Sequence, residues 1–229
     1  LNAVAAEYGM CVCLSVCGAK KVSVPVANDN VVAAYAPAPV DAHAVAFDAF
    51  IASDENAFVL SACKKVASGA VSFSPLFIYG PAGCGKTLLA DCIRSASNRV
   101  VMMSGAQFVS EFTRSLQNHT IFAFKDFCRN CDTFILDDVQ GLAGKNATME
   151  EFLQLVLDLR SAGKNVVLTS SVAPSALTGF DRRAQSLLAS GLVVDMVAPN
   201  ANVKRTMLVR AGVKSDIADA IAKRIAGDG

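Results

Sequence analysis

The chain has 229 residues, 53% of them apolar and 18% charged, with a mean hydropathy of +0.41. That length fits one domain of about 150–200 residues plus an appendage, and the composition excludes a disordered polymer, which would be poor in apolar residues and rich in charge. The 21 Lys and Arg against 20 Asp and Glu leave a net +1, which excludes a globally basic nucleic-acid coat but not a local basic patch.

Residues 1–27 predict a short helix over Asn2–Tyr8, stopped by Gly9, then apolar segments around Cys11–Val16 and Val22–Val26. The first apolar stretch is not a secretory leader, because Glu7 precedes it and Lys20 and Lys21 follow it, reversing a leader's polarity. The chain begins at Leu1 and is expected to be a piece with an upstream portion. Residues 28–44 carry Pro37 and Pro39 among small residues without a helical or strand period, which predicts a flexible linker. The longest uncharged run, Val66–Gly85, holds Gly69, Pro75, Gly80, Pro81, Gly83 and Gly85, so it cannot cross lipid as one helix.

Eight cysteines are too few for a disulfide scaffold at this length, so reduced thiols and a cytoplasmic location are expected. Cys11, Cys13 and Cys17, or Cys128 and Cys131, invite a zinc reading, but a four-ligand site usually needs two close pairs, and the only histidines are His43 and His119. Buried structural thiols are the better reading.

The compact domain is expected from about Ala46 onward, where strands and helices alternate. Pro75–Tyr79 reads as a short apolar strand and Lys86–Ala96 as a helix. Val100–Met103 is a second strand. Ser104 with Gln107 forms a capping box, opening a helix whose apolar face is Phe108, Val109, Phe112 and Leu116. Thr133–Leu136 is a third strand, running directly into Asp137 and Asp138. Thr148 with Glu151 predicts another capping box, followed by Met149, Phe152, Leu153, Val156 and Leu157 at helical spacing, with Gly163 as terminator. Asn165–Thr169 and Leu192–Val197 complete five strands. Continuous apolar strands alternating with helices predict an α/β fold, with a parallel sheet covered on both faces.

Gly80, Pro81, Ala82, Gly83, Cys84, Gly85, Lys86 and Thr87 fit the phosphate-loop pattern GxxxxGK[ST] without a gap, a match that average composition would give by chance with a probability on the order of 1%. A strand precedes the loop and a helix follows it, as the motif requires, and Leu88 joins the loop residues as an ATP-binding candidate. Glycines let backbone N–H groups turn toward a phosphate, and the helix start adds a positive dipole end. Lys86 can then reach the β- and γ-phosphates and the Thr87 hydroxyl can ligate Mg²⁺, which predicts ATP or ADP as ligand. Asp137 is the candidate for the Mg²⁺ shell and Asp138 for orienting the attacking water. Thr169, Ser170 and Ser171, at the end of the next strand, are candidate sensors of the γ-phosphate.

The stretches AFDAFIASDEN, LFIYGPAGCGKT, FVSEFTRSL, FILDDVQGLAGK, MEEF and SAGKNVVLTS occur in that order. Together they resemble the AAA+ ATPase domain of the bacterial chromosomal replication initiator family, DnaA, over about residues 46–226. The resemblance implies an AAA+ P-loop NTPase core at 45–199 and the start of a helical lid at 200–229, cut short before the family's second sensor arginine and its duplex-reading helix-turn-helix. It implies that Phe47, Asp48, Phe50, Ile51 and Asn56 belong to the segment against adenine and ribose. It implies ATP-dependent self-assembly and opening of origin DNA, with Val109, Arg114, Lys125 and Arg129 on the helix pair that lines single-stranded DNA. By arrangement, residues 1–27 match the end of the family's N-terminal domain, which contacts the replicative helicase or regulators, and 28–44 its linker. A cytoplasmic, nucleoid-associated protein is implied.

Departures from the family pattern are equally specific. Its strand-end sensor is usually Ser-Asp-Arg, whereas Ser170 is followed here by Ser171 and Val172. The arginine-finger position falls on Leu187, leaving Arg182 and Arg183 as candidates for a displaced finger, and Ala147 stands where a DNA-gripping arginine is expected. A regulatory adaptor derived from the initiator is therefore one alternative, and a helicase loader or transposition helper another. A metabolic P-loop kinase is disfavoured, since no acceptor motif is visible.

Overall fold

The structure, a computed structural model, describes residues 46–69 and 73–226. The expected N-terminal helix and apolar segments, the linker at 28–44 and the terminal stretch 227–229 lie outside the described residues. The described chain divides into two compact units that part between Pro199 and Asn200.

The first unit is built on five parallel strands, β1 (Leu76–Tyr79), β2 (Val100–Ser104), β3 (Thr133–Asp137), β4 (Asn165–Ser170) and β5 (Leu192–Asp195), in the order β2-β3-β4-β1-β5. Its helices are α1 (Ala57–Ala67), α2 (Lys86–Ala96), α3 (Gly105–Gln117), α4 (Ile121–Arg129), α5 (Asn146–Ser161) and α6 (Arg182–Leu188). Strand alternation sends side chains to two separate cores. Phe77, Phe134, Leu136, Val166 and Leu168 pack with Phe108, Phe124 and Phe152 of α3, α4 and α5. Leu76, Ile78, Ile135 and Val167 pack on the other face, with Val59 of α1 and Leu89 and Ile93 of α2. Both faces being covered explains why these strands read as unbroken apolar runs rather than as alternating ones.

The second unit is a helix pair, α7 (Ala201–Arg210) and α8 (Ser215–Ala226), closed over Leu208, Val213, Ala218 and Ile221. Asn200 caps α7 by accepting the Val203 N–H at 3.0 Å. Arg205 on α7 bonds Asp219 and, at 2.7 Å, the Ser215 hydroxyl.

The five-stranded parallel α/β sheet is the one the sequence predicts, and Lys86–Ala96 has the expected bounds. The Ser104 capping box is present, with Ser104 Oγ accepting the Gln107 N–H at 3.1 Å and Gln107 Oε1 accepting the Ser104 N–H at 2.8 Å. Three local readings need correction. Leu116 is 49% exposed and Ser115 is buried in its stead. At 100° per residue, position 115 falls about 20° from Phe108 around the helix, whereas 116 drifts about 80° away. The Thr148 capping box is absent, because α5 begins at Asn146 and Thr148 is buried on its core face. Gly144, at φ 72°, turns the chain into the helix early enough for Lys145 O to accept the Met149 N–H at 2.8 Å. Finally, β5 ends at Asp195 instead of Val197, since the Asn56 amide takes both backbone groups of Val197 at 3.1 Å.

Candidate nucleotide-binding site

The carboxyl ends of β1, β3 and β4 meet where the strand order reverses, the usual place for a ligand crevice in an open α/β sheet. The loop Gly80–Gly85 leaves β1 there and feeds α2, so the free N–H groups and positive dipole end of that helix converge on it. Gly85 caps α2 at φ 102°, a left-handed conformation, and a Cβ there would lie 3.0 Å from the Phe50 ring. Only glycine meets both demands without strain.

Lys86 is 92% buried, being 8% exposed, and its Nζ donates to Gly80 O at 2.8 Å and Pro81 O at 2.9 Å, with Cys84 Sγ at 3.8 Å. Among the described residues no carboxylate pairs with it. A buried ammonium held by neutral partners alone is poorly compensated, and an anion at the loop would supply the missing counter-charge. The donor set therefore fits a phosphate group.

Asp137, at the end of β3, accepts from two hydroxyls. Thr87 Oγ1 donates to its Oδ2 at 2.8 Å and Thr169 Oγ1 to its Oδ1 at 2.5 Å. A carboxylate beside a hydroxyl at a phosphate site is a hard oxygen donor set suited to Mg²⁺. Asp138 is exposed, with a left-handed backbone at φ 55°. Its N–H donates to Thr169 Oγ1 at 2.9 Å, and its Oδ1 accepts from Gln140 Nε2 at 3.1 Å. Gly105 and Gly141 let the loop after β3 approach α3 closely, since a Cβ on Gly105 would lie 2.5 Å from Asp138 O.

The other sequence candidates divide clearly. Phe50 is buried among the α1–α2 core residues, Ile51 and Leu88 are half-buried, and Pro81, Ala82, Gly83 and Thr87 are exposed. Asn56 spends its amide on Val197, fastening the entry segment to the end of β5. Ser170 is buried and accepts the Val172 N–H at 3.2 Å, whereas Ser171 is exposed. Arg182 and Arg183 are exposed in the first turn of α6, which Asp181 caps at 2.7 Å from the Ala184 N–H. Leu187 packs half-buried against the larger core.

On the α3–α4 pair, Val109 is half-buried and Arg114 pairs with Glu111 at 2.5 Å. Lys125 reaches Glu151 at 2.6 Å and Arg129 reaches Asp158 at 2.6 Å, so both tie α4 to α5. Cys128 and Cys131 are buried, burial pushes their thiols up to about 12 and about 11, and Cys131 Sγ donates to Cys128 O at 3.2 Å. The sequence names Thr169 as a candidate sensor but predicts neither its contacts with Asp137 and Asp138 nor the Gln140 contact with Asp138. Only the short spacing from Asp138 to Gln140 hinted at the last, and nothing local hinted at the others.

No helix among the described residues is long and apolar enough to cross a membrane. The sequence matches the family described as the bacterial DnaA ATPase domain over residues 42–195. The chromosomal replication initiator protein DnaA of Cereibacter sphaeroides is 37% identical over 166 residues, 69% of this chain but 36% of that protein. The chain thus spans little more than a third of the length of that curated relative. The AMPPCP-bound DnaA from Aquifex aeolicus superposes with a TM-score of 0.73 at 26% identity, covering 77% of this chain and 59% of that one. A DnaA bound to AMPPCP and single-stranded DNA gives 0.72 at 25% identity, with 78% and 59% covered. With a family match over more than half its length, the chain belongs to the bacterial DnaA ATPase-domain family.

Proposed function

We propose that this domain binds ATP or ADP with Mg²⁺ at Gly80–Thr87 and uses the bound nucleotide as a switch for assembling copies of itself on single-stranded origin DNA. The observation that carries the reading is Lys86, a buried ammonium in a phosphate loop with carbonyl partners but no carboxylate. Thr87 and Asp137, already in contact at 2.8 Å, are the residues to hold Mg²⁺, which neutralises phosphate charge when bound. Asp138 is the residue to orient the attacking water. The named relatives, bound to AMPPCP in two structures and to single-stranded DNA in one, support the assignment of ligand class.

Hydrolysis, which transfers the γ-phosphoryl group to water, is slow in this reading. An arginine finger contributes about 10³–10⁵ in rate to P-loop switches, and the half-buried Leu187, packed against the core, stands where the resemblance places that arginine. Arg182 and Arg183 are the exposed cations of the same helix and the candidates to act in its place.

DNA binding in this reading is weakened by ion pairs. Arg114, Lys125 and Arg129 each face a carboxylate, so a DNA phosphate must compete with Glu111, Glu151 and Asp158 for them. The test is fluorescence anisotropy with labelled oligonucleotides at about 50 and 200 mM salt, with and without ATP, because each phosphate contact released carries a salt dependence. The expected result is weak single-strand binding that requires ATP and fades with salt. Tight duplex binding, or single-strand binding indifferent to salt, overturns it.

Leu187 and the ion-paired Lys125 and Arg129 also favour a second reading, a regulatory adaptor that binds nucleotide and an initiator without remodelling DNA. Its mark is nucleotide binding with no single-strand binding even at about 50 mM salt.

A further inference from the structure

We infer that Thr169 is a positioning residue for hydrolysis, the one member of the Thr169–Ser171 run that serves the reaction, by fixing the backbone turn that aims Asp138. The inference rests on the proposed reading of Asp138 as the group that orients water. Of the three hydroxyls, Ser170 Oγ is committed to a local turn through the Val172 N–H, and Ser171 is exposed. Thr169 is fully buried, and its Oγ1 lies 2.5 Å from Asp137 Oδ1 and 2.9 Å from Asp138 N.

A hydroxyl has a single proton and an amide N–H can only donate. The Thr169 proton must therefore go to Asp137 while a lone pair accepts from Asp138, so the hydroxyl's one proton is spent in linking the two acidic residues. Asp138 is left-handed at φ 55°, a conformation that few non-glycine residues adopt and that the surroundings here hold in place. Three contacts enforce it here. Thr169 accepts its N–H, the Gly141 N–H donates to its carbonyl at 3.0 Å, and Gly105 leaves room for that carbonyl. Downstream of that turn, Gln140 Nε2 holds carboxylate Oδ1 at 3.1 Å. Asp138 Oδ2 has no hydrogen-bond partner among the described residues, and it is the oxygen available to a water.

Thr169→Val keeps the shape and deletes the link, and Thr169→Ser keeps the link. Single-turnover hydrolysis with protein in excess, read beside Mg²⁺-ATP binding, is the test. Thr169→Val should bind ATP within about threefold of the parent and hydrolyse it at least about 10²-fold more slowly, the lower range for a positioned acid or base, with Thr169→Ser restored to within about threefold. Amide exchange of the Asp138 N–H should be protected in the parent and in Thr169→Ser, and fast in Thr169→Val. Parental hydrolysis in Thr169→Val, equal slowing in Thr169→Ser, or an Asp138 amide still protected in Thr169→Val each overturns the inference. Where Thr169→Val does not fold, Thr169→Ala, which buries no extra methyl beside Asp137, is measured against the same outcomes. A folded parent that binds no ATP sinks the nucleotide reading itself. A parent that binds ATP and releases no phosphate within a day leaves that reading standing and overturns the inference.

Discussion

The phosphate loop and the α3–α4 pair both carry cations from the sequence's list of candidates, yet they hold them in opposite ways. At the loop, Lys86 is buried and faces two carbonyl oxygens and the Cys84 sulfur with no carboxylate, so its charge lacks a counter-ion. On the helix pair, Arg114, Lys125 and Arg129 are partly exposed and each is matched to a carboxylate. A buried unpaired charge is costly to maintain and calls for a counter-ion, whereas an exposed ion pair contributes little and asks for nothing. The difference teaches that the loop holds its cation in the core of this domain without a carboxylate partner, while the cations of the helix pair are surface side chains already matched to carboxylates.

The packing beneath the helix pair gives the largest expected effect. Phe108 meets Phe152 and Phe124 at 5.5 Å between ring centroids, and Phe152 is fully buried. Phe152→Ala should cost about 3–5 kcal/mol in a denaturant titration, and Phe122→Ala, on the 79% exposed ring of α4, should cost no more than about 0.5 kcal/mol. Equal costs would mean that the pair is not held to the sheet by this aromatic cluster. Next in size is the ligand's own contribution. Mg²⁺-ATP at about 100 times its dissociation constant should stabilise the fold by roughly 2.7 kcal/mol. Lys86→Ala should remove most of that thermal shift, and an undiminished shift would place the binding elsewhere.

The smallest effect lies in the ion pairs. Burial alone would raise the Asp158 pKa, but the hydrogen bonds from Gln154 and Arg129 outweigh it and hold the carboxyl below its ordinary value. A depressed folded pKa stabilises above the unfolded pKa, and the gain disappears as pH falls through the folded one. Arg129→Ala should therefore cost less than about 1 kcal/mol at pH 7, and the gap from the parent should close below about pH 4, where carboxylates protonate. A gap that widens in acid would contradict the pairing.

What the sequence could and could not say follows the range of the interactions. The loop Gly80–Thr87 and the Ser104 box are local patterns, with every participant within a few residues, and they read correctly. The Thr148 box also looked local, but Gly144 started the helix earlier and buried the threonine. Leu116 was misplaced by one step of helical drift. Asn56 to Val197, Thr169 to Asp137 and Arg129 to Asp158 join residues 141, 32 and 29 positions apart, and no local rule pairs them. Those distant pairs are where the fold decides which candidate residues face a ligand and which are spent on structure.

The central claim is that the buried Lys86 marks a working nucleotide site. Calorimetric titration of the folded chain with Mg²⁺-ATP tests it most directly. The account predicts saturable binding near one equivalent, lost or greatly weakened in Lys86→Ala while circular dichroism shows that variant folded. No heat of binding from a folded parent chain, or equal affinity in the variant, would contradict it.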